Sequence, residues 1–509
     1  MRAHRVRSPR KPHRIAMTDF PLTPAADPLA QLQARAASPD AQAADWRAYG
    51  NALLEHAGRD PQRLRAALDA LVRAHQLASS THPQLLSTIA QTAFMLRDWP
   101  LVESASALLL AGDTADLNAL VWRSAAVQQR DAFDEAERLL REAARIAPLN
   151  PVVLHKLALC IKEQGRFAEA EQLLRRVLEL APHSPHARFD LSELEIRAAR
   201  FVPGWANYEA RLAFDDPANA AQQALAALSP YWCGEPLAGK TLLVYGEQGH
   251  GDCLWAMRFV PQLAQRVRDE GGRLIFGYDG PLRPLVERVL PADVPLETSL
   301  DTHPDFHCAL MSLPLRLGVA NAASGGQPYL RADAARSEAW RARVDAAASN
   351  AHKRVGLVWN GNPEHVRDAR RSVPAAQLEP LLATPDVSWF ALSPGRSASV
   401  AQWRALGIDI VDPTVHYTEG FDDVAALMAN LDLVVTIDSG PAHLAGALGV
   451  PTCLMIDHVS AWFWGADTDA RRTPWYDSVE LLRQPAPGAW APVLARVRAK
   501  LEAPGMPQK

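Results

Sequence analysis

Cysteine is scarce in this chain: 509 residues hold five, Cys160, Cys233, Cys253, Cys308 and Cys453, far apart and without a CxxC pair. That spacing argues against zinc knuckles and disulfide frameworks, and it points to a reducing, cytoplasmic compartment. Long apolar runs are missing too, so neither a transmembrane segment nor a signal peptide is expected. Neither sign of charge dominates: 53 basic against 57 acidic residues leave a net charge of -4, which offers nucleic acid no general attraction. What remains is the composition of an ordinary globular protein, in a chain too long for one hydrophobic core.

The first residues, MRAHRVRSPRKPHRIA, are basic and hold nothing that could enter a core. They read as a disordered extension over 1–26, with Met17 an alternative start to Met1. Beyond them the chain repeats itself. Trp99, Phe133, Phe167 and Phe201 follow one another at intervals of 34 residues, and nine positions before each stands a small residue: Ala90, Ser124, Ala158, Ser192. This is the tetratricopeptide period: two helices per unit, small residues at the close crossing and an aromatic residue wedged between turns. Helical segments within Ala41–Ser80 extend or cap the array. Thr88, Trp122, Lys156 and Asp190 should face the concave side, where such stacks bind a protein partner or merely carry the next domain.

From Lys240 short apolar runs alternate with amphipathic segments. Strands are expected at Thr241–Tyr245, Arg273–Gly277, Val355–Trp359, Ser388–Leu392, Leu433–Ile437 and Thr452–Ile456, with helices between them, as in parallel βαβ units. The fold class is therefore α plus α/β. Helical repeats occupy 27–212, a connecting segment 213–239, and two Rossmann-like lobes 240–334 and 335–509. A ligand cleft should lie between the lobes, beyond the carboxyl ends of their strands.

Gly234–Thr241 matches the phosphate-loop pattern GxxxxGK[ST], but it precedes a strand where that loop must follow one. The next turn is better placed. Strand Thr241–Tyr245 runs into Gly246, Gly249 and Gly251, then a helix starting at Asp252, whose carboxylate can cap the helix or face the cleft. His250 is similarly open between a solvated and a catalytic role. In the second lobe Leu433–Ile437 leads into Asp438, Ser439, Gly440, Pro441 and His443. Here Ser439 can cap the following helix, and its free amino terminus would be an anion site. After Val355–Trp359 come Arg367, Arg370 and Arg371, which could clamp a diphosphate.

Taken in order, GEQGHGD, FHCALMSLPLRLG, VGLVWNGNPEH, RRSVP, IDSGPAHLAGALGVP and PWY resemble bacterial tetratricopeptide-repeat proteins with a glycosyltransferase-B domain, related to heptosyltransferases and O-linked sugar transferases. The resemblance implies a nucleotide sugar on the carboxy-terminal lobe and acceptor contacts on the other. It implies Asp252 as general base, with Asp438, Ser439, Gly440 and His443 at the donor phosphates, joined by Arg371 and Arg370. Arg396 stands where many relatives carry a lysine, Phe463 where they often carry an arginine, and Leu254–Ala256 is bulkier than usual. The expected activity is inverting, metal-independent transfer of a sugar to an acceptor hydroxyl on a glycan or protein, with the nucleotide sugar as substrate and no cofactor. The rivals are a non-catalytic repeat adaptor with a degenerate nucleotide-binding domain and a nucleotide-sugar epimerase of the same architecture.

Overall fold

Each residue of the aromatic series opens a helix: Trp99–Gly112, Phe133–Ile146, Phe167–Leu180 and Phe201–Tyr208. The helices before them, Pro83–Met95, Leu117–Gln128, Pro151–Lys162 and Pro185–Arg197, carry the small residues Ala90, Ser124, Ala158 and Ser192, all buried. Three of these start on a proline, and Asp116, Asn150 and Ser184 cap helices through their side chains. The turn between the two helices of each repeat has its own period. Arg97, Asp131, Gly165 and Ala199 all adopt left-handed backbone, at φ of 57°, 59°, 77° and 58°. Glycine alone accepts this without strain. An added Cβ on Gly165 would meet His458 Nε2 at 3.5 Å, an ordinary contact. Gly165→Ala should therefore cost about 1 kcal/mol, from the backbone alone. Urea unfolding measures it, and an unchanged midpoint would count against a left-handed turn.

The computed structural model describes residues 27–58, 60–80, 82–214, 220–298, 303–321, 326–348, 353–465 and 471–503; the basic extension expected over 1–26 lies outside them. The chain divides into two compact units, Met1–Pro148 and Leu149–Lys509. This division falls inside the helical array, whereas the sequence borders at 212 and 240 mark changes in the type of element. In the first unit, helices from Pro28 to Ile146 pack around a core that includes Leu71, Leu86, Ile89 and Val102.

The second unit holds the remaining repeat helices, a 3-10 turn Glu209–Ala213, a short helix Ala220–Ala226 and two sheets. The smaller sheet is all parallel: β1 (Thr241–Tyr245), β2 (Arg273–Gly277), β3 (Leu296–Glu297) and β4 (Phe306–Ala309), in the order β3-β2-β1-β4. The larger contains β5 (Lys353–Leu357), β6 (Val387–Ala391), β7 (Ile410–Val411), β8 (Leu433–Ile437), β9 (Thr452–Ile456), β10 (Arg472–Thr473) and β11 (Tyr476–Arg483). Its order is β10-β11-β9-β8-β5-β6-β7, parallel except where β10 meets β11. Four of the six expected strands keep their bounds, while β5 and β6 start earlier than the apolar runs suggest. The phosphate-loop look-alike is a loop leading into β1. It is held by Trp232 Nε1 donating to the Glu235 carbonyl (2.9 Å) and by Arg266 stacked over the Trp232 ring. Asp305 accepts from Lys240 Nζ and from the Thr241 amide, both at 2.9 Å, and so pins the start of β1.

Candidate active site at two facing glycine turns

The parallel order sends the carboxyl ends of β5, β6, β8 and β9 to one edge of the larger sheet, and those of β1 to β4 to one edge of the smaller. After β1 the helix His250–Ala256 begins two residues earlier than expected from the sequence. Gly249 is its N-cap and Asp252 its third residue; Asp252 Oδ2 reaches back to accept the Gly249 N–H at 3.0 Å. That single backward bond is what draws the helix start forward. Gly246, Gly249 and Gly251 are needed for room. The left-handed residue of this turn is Gln248, at φ 61°. A Cβ on Gly246 would stand 2.7 Å from the Tyr278 ring, and one on Gly251 2.8 Å from His443 Cδ2.

The second turn follows β8 and opens the helix Gly440–Leu448. Ser439 occupies the N-cap position but does not cap: its hydroxyl donates to the Ile437 carbonyl at 3.2 Å. The extended backbone of Ser439 (φ -161°) turns that hydroxyl back along the strand, away from the helix amides. The two turns touch, because a Cβ on Gly251 would lie 3.6 Å from Gly440 Cα. His443 is the wedge between them. It is buried, stacked on Trp464 at 5.0 Å, and its Nδ1 lies 3.0 Å from Tyr476 Oη. Burial, helped by Arg258, pushes its pKa down to about 3, so it is neutral and holds no anion by charge. His250 sits at the rim with its ring 5.2 Å from Phe421, and desolvation lowers its pKa.

Asp252 is the perturbed acid of the site. Desolvation pushes its pKa up to about 6 against the Gly249 N–H, and the charges of Glu247 and Asp438 add to the rise. A carboxylate titrating near neutrality beside a cleft has the properties of a proton acceptor.

The three arginines after β5 divide. Arg371 joins the second turn: Nη1 donates to the Asp438 carbonyl at 3.0 Å and Nε to Asp368 at 3.2 Å. Arg370 points elsewhere, its Nη1 donating to Glu163 Oε2 at 2.6 Å. Arg367 also pairs with Glu163 (2.8 and 3.0 Å) and with Asp457 (2.7 Å). Glu163 ends the helix Pro151–Lys162, so a repeat supplies the counter-charge to both. Among the described residues, nothing hydrogen-bonds the buried Nε of Arg396, after β6, or the Oδ1 of Asn360, after β5.

Several residues that organise the site carry no sequence signal. Arg211 is buried and pairs with Glu209 (2.9 Å) and, through Nε, with Glu247 (3.2 Å), while Nη2 donates to Ser312 at 2.8 Å. Arg258 lies over the rings of Tyr329 and Tyr476. The bulk at Trp255 and the aromatic ring at Phe463, both departures from the family pattern, answer each other. Their rings lie 5.3 Å apart in a cluster with Trp205, Trp462 and Trp475.

The tetratricopeptide repeat family matches residues 127–188 and 162–202, and glycosyltransferase family 9 (heptosyltransferase) matches residues 418–474, which include the whole second turn. The chain is 28% identical over 335 residues to Protein FlbA of Caulobacter vibrioides, covering 62% of this chain and 54% of that protein. It thus spans about half the length of this curated relative. Among solved structures, a thermophilic TPR protein of Thermus thermophilus is 23% identical with a TM-score of 0.29, covering 36% of this chain and 99% of its own. A family 9 glycosyl transferase from Veillonella parvula is 12% identical with a TM-score of 0.37, covering 49% of this chain and 88% of its own. Among the described residues no helix is long and apolar enough to cross a membrane. Segments of this chain are thus similar to tetratricopeptide repeats and to part of glycosyltransferase family 9.

Proposed function

We propose that the second unit is an inverting glycosyltransferase of the two-lobed B type, moving a sugar from a nucleotide-sugar donor to an acceptor hydroxyl. The observation that carries this reading is the apposition of the two turns, with a carboxylate of raised pKa on one and an arginine-braced helix amino terminus on the other. Asp252 takes the proton of the acceptor hydroxyl as its oxygen bonds to the anomeric carbon. The bond from that carbon to the diphosphate oxygen breaks, and the electron pair leaves with the nucleoside diphosphate. The charge on the departing group is met by Arg371, by the Gly440 amide and by the helix dipole behind it, so the step calls for no metal ion. Arg396 and Asn360, each with an unpartnered buried atom among the described residues, complete the donor side. His443 packs against the first turn as a neutral ring, and Arg370 steadies the loop through Glu163. The repeats offer a surface for a protein partner or acceptor.

The test is release of nucleoside diphosphate by the purified chain from a panel of nucleotide sugars, with and without glycan and peptide acceptors. Conversion of the donor sugar without release would indicate an epimerase. Binding with no turnover under any condition would favour the adaptor. Arg371→Ala should weaken nucleoside diphosphate binding by about 1.5–3 kcal/mol, the range for hydrogen bonds to charged groups, and leave the free nucleoside little changed. Arg371→Lys should recover only part, since a point charge lacks the two-pronged geometry. Equal calorimetric affinities for the diphosphate in Arg371→Ala and wild type would sink the clamp.

A further inference from the structure

The first turn is tied at three consecutive residues, Glu247, Gln248 and Gly249. Arg211 Nε reaches the Glu247 carboxylate at 3.2 Å, and the Met311 amide donates to it at 3.1 Å. Tyr208 Oη donates to Gln248 Oε1 at 3.0 Å, and the Gly249 N–H to Asp252 at the same distance. Gln248 is the residue that most needs its tie. It carries the left-handed backbone of the turn (φ 61°), a conformation unfavourable for any residue with a Cβ. It is also exposed, so packing gives it little support.

Tyr208 brings a donor to it from inside the protein. It ends the helix Phe201–Tyr208, which closes the repeat series, and only 2% of it is exposed. Its ring packs on Phe189 at 5.2 Å, Trp462 at 6.0 Å and Trp205 at 6.1 Å, with the Arg211 guanidinium 4.8 Å over its face. A phenylalanine would make all of these contacts. What it would lack is the hydroxyl, and a buried hydroxyl is costly unless it finds a partner. Burial holds this phenol well above its ordinary pKa, and the charge of Asp252 adds to the rise, so it stays a donor near neutrality.

We infer that Tyr208 is a positioning residue for Asp252: its hydroxyl fixes Gln248 in the left-handed conformation, and Gln248 in turn places the Gly249 N–H on which the Asp252 carboxylate closes. This rests on the transferase reading above, and it makes the helix that ends the repeats part of the catalytic turn. Tyr208 acts through Gln248 and Gly249, not on the substrate.

Tyr208→Phe in the full chain tests it. The melting temperature should change little, because the ring stays and water can take the place of the hydroxyl at the exposed Gln248. Hydrogen exchange needs no turnover; it should speed up roughly tenfold at residues 246–252, the weight of one hydrogen bond, and stay as it was at 438–443. On the nucleotide sugar that the release assay above identifies, kcat should fall roughly tenfold while KM for the donor holds. The rising limb of kcat/KM, which the desolvated Asp252 sets at about 6, should move to lower pH as the loosened turn admits water. Glu247 and Asp438, whose charges act on Asp252, stay in place, so that move reports hydration. Gln248→Gly in the same background should return most of the lost turnover, since glycine holds a left-handed turn without a brace. A role in packing alone would not be rescued at that position. Unchanged exchange at 246–252 overturns the inference, as does faster exchange with kcat and the limb unmoved, or a loss that Gln248→Gly leaves in place. If the wild type turns over no nucleotide sugar, the transferase reading falls and the positioning role with it, while faster exchange at 246–252 would still establish the brace.

Discussion

Asp252→Asn should lower turnover by about 10²–10⁴-fold, the usual contribution of a positioned general base, with donor binding intact. The side-chain oxygen of asparagine can still accept the Gly249 N–H that Asp252 accepts at 3.0 Å, so the start of the helix should survive. The pH profile makes the reading specific. With the Asp252 carboxyl pushed up to about 6, kcat/KM of the wild type should rise with pH through that value and then level. Stability should move in the opposite direction. A carboxyl whose folded pKa lies above its unfolded value stabilises the fold most when protonated, and that contribution is lost as pH rises from about 4 through about 6. Asp252→Asn should therefore melt with the wild type below pH 4 and above it at pH 8. Near-normal turnover in the variant would remove Asp252 from the mechanism and leave His250, on the same turn, to be tried next.

The largest structural loss is expected at Arg211. Its guanidinium is buried between Glu209 and Glu247, and it holds Ser312 at 2.8 Å, the 3-10 turn Glu209–Ala213 and the loop after β1 together. Arg211→Met fills much of the volume but leaves the Glu247 carboxylate with the Met311 amide and, among the described residues, no cation, while Glu209 keeps Arg316 at 2.6 Å; breaking a buried pair in this way gives a deficit of about 3–5 kcal/mol. Adding Glu247→Gln should restore part of it. The exposed pair Arg268–Asp293 is the control, since solvent screens it and Arg268→Met should barely move the unfolding midpoint. A deficit at Arg211 no larger than at Arg268 would mean that the pair does not organise the site.

Much of the frame was legible because it is local. The 34-residue series marks helix starts since each of its aromatic residues opens the second helix of a repeat, and the strands β1, β2, β8 and β9 are apolar runs bounded by turn residues. Both glycine turns could be found in the same way. What each glycine does there was not legible. Gly246 and Gly251 yield space to Tyr278 and His443, which come from other turns and lobes, while the left-handed conformation falls on Gln248. The sequence likewise treats Arg367, Arg370 and Arg371 as one cluster. A carboxylate 204 residues away from Arg367 separates them. Pairings of this kind depend on the docking of elements distant in the chain, and no periodicity records them.

Glu163 bears on what can be inherited or exchanged as a piece. Its backbone ends a repeat helix, while its carboxylate pairs with Arg367 and Arg370 on the loop that carries Arg371. A cut at 212 or 240, where the helical array gives way to strands, would leave two cations of that loop short of their shared acid, beside the turn after β8. The smallest piece of this chain that keeps this pairing therefore begins before Pro151. A graft of foreign repeats onto the lobes would have to bring an acid to the position of Glu163 to leave the turn after β8 undisturbed.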